Sequence, residues 1–352
     1  MSESSREFSS FRDPSGAVFQ RDGVLYRQIN ECYRAQYEAL MKNGLYDALV
    51  KNGTLISHTE VSQASMTAEG FCVIQPECVP MISYPYEWSF SMLQDAATAK
   101  ERIESELRIA QSIQMELVPK TFPPFPDRND FELYAMMTPA REVGGDFYDF
   151  MMPDPEHLWV VIGDVSGKGI AAALFMAVTR TFLRAFVQEE KSPGKVLARV
   201  NNELARNNDA NMFVTLFCGV VHLPTGNFRW ANGGHNLPFL TEAAGEPEFL
   251  PRTKGTLVGA LEDMRFDEAE SSLHPGDMLY LYTDGVNEAM DENDQLFGNA
   301  RTREVLLKFR LSDCISLVSG MTDELAKFTQ NAEQSDDITM LALRYFGPDS
   351  GI

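Results

Sequence analysis

Between Phe131 and Tyr345 the chain is a succession of short β-type runs, and four turns at their ends carry an aspartate. Asp146 stands in REVGGDFYDF, Asp164 in VVIGDVSGKG, Asp284 in LYLYTDGVNEAM and Asp336 in SDDITMLALRY. Each adjoins a run that reads as a buried strand, so folding can gather hard oxygen ligands at one end of a core. Carboxylate oxygens suit Mg²⁺ or Mn²⁺, whereas imidazole and thiolate suit softer metals. Any single Asp-Gly pair is an ordinary turn. Four such positions, three of them beside strongly apolar runs, point instead to a metal site.

The β-type runs are Asp130–Met136, Leu158–Ile162, Val214–Val221, Phe228–Trp230, Pro238–Leu240, Met278–Tyr282 and Thr339–Tyr345. Helical stretches lie between them, over Ile170–Gln188 and Pro193–Arg206, with a third from Ala300–Lys308 through Cys314–Thr329. Strands dominate and helices come in pairs, which excludes a doubly wound sheet. An α+β layered fold with antiparallel sheets is expected.

A length of 352 residues suggests two domains, or one domain with an appendage. Composition divides the chain into an amino-terminal module (1–92), a connecting helix (93–118) and the strand-rich domain (119–347). In the module, Ala17–Gln20 and Val24–Gln28 flank Asp22-Gly23, a hairpin signal. A helical pattern is expected from Ile29 to Val50, interrupted at Asn43-Gly44, and Val79–Phe90 reads as packed but irregular.

In the connecting helix Ala96, Ile103, Leu107, Ala110 and Leu117 step by threes and fours, with Lys100 and Gln114 as polar interruptions of the same seam. Ile109 and Ile113 widen the apolar stripe, Glu104 can pair with Lys100 and Arg108, and Pro119 ends the helix. Such a stripe serves equally a homodimeric coiled coil or packing on its own chain. Both remain open here.

A net charge of −21 argues against a nucleic-acid surface, and so against a two-metal nuclease or phosphodiesterase. The cysteines, Cys32, Cys72, Cys78, Cys218 and Cys314, form no C-x-x-C pair, so reduced thiols are expected. Residues 1–10 lack the features of a signal peptide. Apolar stretches such as Ile170–Val178 fall short of the roughly 20 residues of a membrane span. A cytoplasmic protein without membrane insertion is the expectation.

The stretches REVGGDFYDF, VVIGDVSGKGIAAALFMA, MFVTLFCGVV, ANGGHNLPFL, LYLYTDGVNEAMDENDQLFG and SDDITMLALRY occur in an order that resembles bacterial type 2C (PPM-type) protein phosphatases acting on regulators of sigma factors. The resemblance covers about Leu117–Tyr345. It implies an αββα sandwich, with two antiparallel sheets face to face, helices outside and metals in a cleft at one edge. It also implies dephosphorylation of serine or threonine in a phosphoprotein, such as an anti-sigma-factor antagonist, using two divalent cations, Mn²⁺ or Mg²⁺. Carried over by position, Asp146 binds at the binuclear site, Asp164 bridges both metals, and the Val165 carbonyl adds a ligand. Asp284 and Asp336 complete the second metal's shell, the family's ligand being the first of the Asp336-Asp337 pair.

The residue chemistry is coherent without the resemblance. Paired divalent ions can lower the pKa of a shared water and stabilise phosphoryl oxygens. No Cys-x5-Arg loop or G-x-S-x-G elbow offers a nucleophile instead. Gly167, Lys168 and Gly169 precede a helix, so Lys168 could contact phosphate, or the glycines could simply form the strand-to-helix turn. His235 could protonate a leaving oxygen, or could hydrogen-bond a loop behind the cleft. A catalytically silent scaffold that binds phosphoproteins is a competing class, and retention of all four aspartates counts against it.

The amino-terminal runs FRDPSGAVFQRDGVLYRQIN and ISYPYEWSF resemble the leader region ahead of some S-adenosylmethionine-dependent methyltransferase domains. No G-x-G-x-x-G fingerprint follows, so no such cofactor is expected and the module reads as regulatory or docking.

Overall fold

The computed structural model describes residues 4–6, 15–52, 55–62, 65, 67–77, 90–206, 208–330 and 332–348. The chain divides into two compact units, Met1–Ala96 and Ala97–Ile352.

In the first unit β2 (Gly16–Arg21) and β3 (Val24–Asn30) form the expected hairpin. Its turn residues Asp22 and Gly23 have φ of 52° and 80°, the left-handed pair that a two-residue hairpin turn requires. With β1 (Ser4–Arg6), β4 (His58–Val61) and β5 (Gly70–Pro76) they make a sheet of order β1-β2-β3-β5-β4. The helix expected from Ile29 starts later, as α1 (Arg34–Lys42), because Ile29 is buried in the ladder opposite Gly16 and Cys72. Gly44, at φ 78°, breaks it from α2 (Leu45–Lys51). Of the irregular stretch expected at Val79–Phe90, all but Phe90 lies outside the described residues.

Helix α3 (Phe90–Leu117) follows. Glu104 lies 3.6 Å from Lys100 and 3.8 Å from Arg108, as the four-residue spacing requires.

The second unit contains two five-stranded antiparallel sheets. One has the order β13-β10-β9-β8-β7, built from β7 (Phe147–Asp154), β8 (His157–Val165), β9 (Val214–His222), β10 (Asn227–Gly233) and β13 (Glu268–Ser272). The other has the order β12-β11-β14-β15-β6, built from β6 (Phe131–Thr138), β11 (Phe239–Thr241), β12 (Pro247–Phe249), β14 (Met278–Tyr282) and β15 (Ile338–Tyr345). Helices α4 (Ile170–Val187) and α5 (Pro193–Ala205) cover the first sheet, and α8 (Cys314–Thr329) with α7 (Gly298–Lys308) covers the second. This is the αββα sandwich.

Covered on both faces, β8, β14 and β15 are apolar almost without interruption. Strand β6 instead alternates buried and half-buried residues. Helix α4 has the length and apolar composition of a membrane span. Its Ala172, Met176, Leu183 and Val187 are buried in the core, however, and its Arg180 and Arg184 pair with Asp149 of β7. It is a core helix.

Candidate metal centre

The sandwich brings the predicted aspartates to one edge. Asp146 immediately precedes β7, Asp164 is next to last in β8, and Asp284 opens the short helix α6 (Asp284–Asn287) one residue after β14. Asp336 and Asp337 immediately precede β15. Strand ends adjacent in two facing sheets make this convergence possible, although the residues span most of the domain's sequence.

Asp146 is only 2% exposed and lies close to Asp164. Burial, then the charges of Asp164 and Asp337, push the Asp146 carboxyl well above the usual carboxylate range. Burial, followed by Asp284, Asp336 and Asp337, raises Asp164 to about 7. Asp284 is raised too, by burial first and by Asp336 and Glu288 after it. The charges of Asp284 and Asp336 therefore reach Asp164, and that of Asp164 reaches Asp146.

Backbone and hydroxyl donors hold this acidic cluster in place. Thr283, fully buried, donates its hydroxyl to Asp146 Oδ2 at 2.7 Å and accepts the Thr339 N–H at 3.0 Å. Asp337 Oδ1 accepts the Ala140 N–H at 2.8 Å, and its Oδ2 accepts those of Gly145 at 2.8 Å and Asp146 at 3.4 Å. Asp337 therefore fastens the segment carrying Gly144, Gly145 and Asp146. Glycine is required there: a Cβ at Gly144 would stand 2.1 Å from Asp337 Oδ2, and one at Gly145 would stand 2.8 Å from the Val165 carbonyl. The Val165 oxygen thus lies beside the GGD segment.

Asp336 differs from its neighbour. Its side chain is 42% exposed, with Oδ2 3.0 Å from Lys168 Nζ, and its Oδ1 accepts the Asp337 N–H at 2.9 Å. Lys168 also donates to the Ser335 carbonyl at 2.6 Å, so in this structure its ammonium serves the Asp336 loop. Gly167 and Gly169 have φ of 85° and 81°, which fits the turn reading.

His235 is buried, with Nε2 3.2 Å from the Tyr282 carbonyl and Nδ1 2.9 Å from the Thr215 hydroxyl. A carbonyl only accepts, so Nε2 carries the hydrogen and Nδ1 accepts from Thr215. Burial lowers its pKa to about 4, leaving the ring neutral near pH 7. It ties β9 of one sheet to β14 of the other, behind Asp164 and Asp284. The structural reading of this histidine fits, and the proton-donor reading does not.

Among the described residues, no three carboxylate, imidazole or thiolate groups stand in a ready-made ligand shell. The donor chemistry nevertheless suits hard divalent cations, being carboxylate and carbonyl oxygen throughout. Acidic groups this buried and mutually repelling are relieved by positive charge among them.

Three contributors were not legible as such in the sequence. Asp337 appeared only as the neighbour of Asp336, Thr283 carried no signal, and Gln114, whose buried amide accepts the Gly144 N–H at 3.1 Å and donates to the Gly144 carbonyl at 2.6 Å, appeared only as a break in an apolar seam. A polar residue interrupting such a seam is the one signal that could have been followed.

Residues 154–346 match the family model described as Stage II sporulation protein E (SpoIIE). Protein IcfG of Synechocystis sp. is 32% identical over 266 residues, covering 68% of this chain and 41% of that relative. The phosphoserine phosphatase RsbU of Bacillus subtilis is 28% identical over 259 residues, covering 74% of this chain and 76% of RsbU. Among solved structures, the SiaA-PP2C domain of Pseudomonas aeruginosa matches with a TM-score of 0.62 at 21% identity, covering 71% of this chain and 99% of that domain. The RsbU and RsbW domains of Rv1364c from Mycobacterium tuberculosis match with a TM-score of 0.54 at 24% identity, covering 62% of this chain and 60% of that one. These likenesses establish the fold.

Proposed function

This chain belongs to the stage II sporulation protein E family, and from that footing we propose that its second unit is a divalent-metal-dependent serine/threonine phosphoprotein phosphatase. The observation that carries the reading is the convergence of Asp146, Asp164, Asp284, Asp336 and Asp337 from four element ends, close enough to raise the proton affinity of Asp146 and Asp164. Asp146, Asp164, Asp284, Asp336 and the Val165 carbonyl would hold two cations, Mn²⁺ or Mg²⁺. Bound there, such ions supply an acidified water and positive charge against phosphoryl oxygens.

The protein's own part is positioning. Thr283 fixes the Asp146 carboxylate, Asp337 fixes the strap that carries it, and Lys168 restrains Asp336. The neutral His235 keeps the two sheet edges in register without giving up a proton. The substrate is a phosphoserine or phosphothreonine of a small regulatory protein, of the anti-sigma-factor-antagonist kind, in the cytoplasm. Two of the relatives matched by this chain are named phosphoserine phosphatases, which supports that class.

The first unit serves as a regulatory or docking module, and α3 as a dimerisation helix. Ile103, Ile109 and Ile113 of α3 are each more than half exposed, which supports a second helix seated there. Sedimentation should then show a dimer that Ile109→Glu converts to monomer.

The central test is Mn²⁺-dependent hydrolysis of p-nitrophenyl phosphate and of a phosphoserine protein. Asp164→Asn should abolish both. Equal rates in the variant and the parent would end the reading.

A further inference from the structure

His157 opens β8 and His222 closes β9, and the two stand directly opposite each other in the ladder. Their ring centroids are 5.0 Å apart, with the planes tilted by 46°. Each ring has its Nδ1 engaged by a residue of its own turn. His157 Nδ1 lies 2.8 and 3.0 Å from the two carboxylate oxygens of Asp154, and His222 Nδ1 lies 2.7 Å from the Thr225 hydroxyl. A carboxylate only accepts, so Nδ1 of His157 carries the hydrogen and Nε2 of the neutral ring keeps its lone pair. The Thr225 oxygen can accept from His222 in the same way. Asp154 is itself held, by the Glu156 N–H at 3.0 Å and by Lys191 Nζ at 3.2 Å.

We propose that His157 and His222 form a separate metal site for a borderline divalent cation, Zn²⁺ foremost, at the end of the sheet away from the aspartate cluster. Directly opposed residues bring their Cβ atoms to roughly 5 Å, a span that one ion can bridge with Zn–N bonds of about 2.0–2.1 Å. An acceptor behind the other ring nitrogen is what orients a ligating imidazole and raises its basicity. No third ligand stands ready, but Glu156 Oε2 is 3.7 Å from His222 Nε2 on a side chain that is 64% exposed and free to turn. The Glu156 backbone is tied to the same end, since its carbonyl accepts the Leu223 N–H at 2.8 Å. A cavity of about 300 Å³, lined by both histidines and Thr225, gives room for water to complete the shell. Arg229 also lines it, and this guanidinium is committed to Glu268 at 3.7 Å and to the Lys191 carbonyl at 2.7 Å.

Strand β8 carries a ligand of each site, and seven residues separate His157 from Asp164, about 24 Å along an extended strand. The two sites also sort cations by chemistry. An all-oxygen cluster favours Mn²⁺ or Mg²⁺, whereas paired imidazoles favour Zn²⁺. An ion held by the histidines staples the β7–β8 turn to the β9–β10 turn.

The test titrates Zn²⁺ calorimetrically into the full chain, with Mn²⁺ in excess to occupy the aspartate cluster. The parent and Asp164→Asn should both show this Zn²⁺ event. His157→Gln and His222→Gln should each weaken it by at least about tenfold, the loss seen when merely an orienting partner of a ligand is disturbed. Equal Zn²⁺ affinity in the parent and both glutamine variants would overturn the assignment.

Hydrogen exchange then locates the ion in the parent alone, so the proposal stays testable even where a variant is unstable. Zn²⁺ should slow exchange of the turns at residues 153–158 and 221–228, and Mn²⁺ alone should not. Protection by Zn²⁺ confined to residues 139–149 and 283–288 would equally overturn it. Neither readout involves a phosphoester.

Discussion

The Thr283 hydroxyl donates to Asp146 Oδ2 at 2.7 Å, across 137 residues of sequence and from one sheet to the other. Neither group is exposed beyond 2%, so the carboxylate's orientation depends on this bond. Thr283→Val keeps the shape and removes the donor and the acceptor for Thr339. It should cost about 1–3 kcal/mol in chemical denaturation, the range for a buried polar group left unpaired. Mn²⁺-dependent turnover should fall with it, and Thr283→Ser should restore both.

Asp164 and His235 pull the pH dependence of stability in opposite directions. Asp164 is raised from 3.8 to about 7 in the folded state, so between those values the folded chain binds the extra proton. Its contribution is therefore lost as pH rises from 4 to 7, at no more than about 1.4 kcal/mol per pH unit. His235 is lowered from 6.5 to about 4, so over that interval the unfolded chain binds the extra proton and stability is lost as pH falls. In metal-free protein, Asp164→Asn should steepen the acid-side loss, and His235→Asn should expose the alkaline-side loss. Urea denaturation at pH 4.5, 5.5, 6.5 and 7.5 reads both slopes, and parallel curves for all three proteins would contradict the assignment.

The neighbours Asp336 and Asp337 should separate cleanly on amide substitution. Asp337 receives N–H donors on both oxygens, so an asparagine there must turn its own N–H₂ toward one of them. Asp337→Asn should lower stability by roughly 1–3 kcal/mol even without metal. Asp336→Asn loses only a half-exposed pair with Lys168 and should leave the fold intact. Its effect should appear as weaker Mn²⁺ binding and lower turnover. Calorimetry and thermal melts on the two variants distinguish the roles.

Asp149 is fully buried, with Arg184 donating two bonds of 2.7 Å and Arg180 Nε 2.9 Å away. Asp149→Ala would leave guanidinium groups facing the buried side of β7 without their counter-charge. A loss of about 3–5 kcal/mol is expected, the usual range for removing one partner of a buried ion pair. Because the pair anchors α4, limited proteolysis should then cut near residues 166–170 faster than in the parent.

Much of this molecule was written locally. The buried strands β8, β14 and β15 stand out because both their faces are covered, so their apolar runs are nearly unbroken. Helix α8 matches its expected span at both ends, and its start is marked by Asp313, which accepts the Ser316 N–H. The aspartates of the acidic cluster were visible because each sits at a strand end in a turn context. What was missed had partners far away in sequence. Strand β7 was hidden because its Asp149 looks like a solvent residue until Arg180 and Arg184 neutralise it. The edge strand β13, EAESS, carries almost no apolar signal, and only its pairing with β10 makes it a strand.

Local pattern therefore determined the elements and the chemical type of the site, because turn residues and apolar runs act over a few neighbours. Tertiary structure alone decided which carboxylate faces the cluster and which bonds to the backbone beside it, and it paired the buried Gln114 amide with the backbone of Gly144. A buried polar group is tolerable only with its partner present, and those partners are brought together by folding rather than by sequence distance.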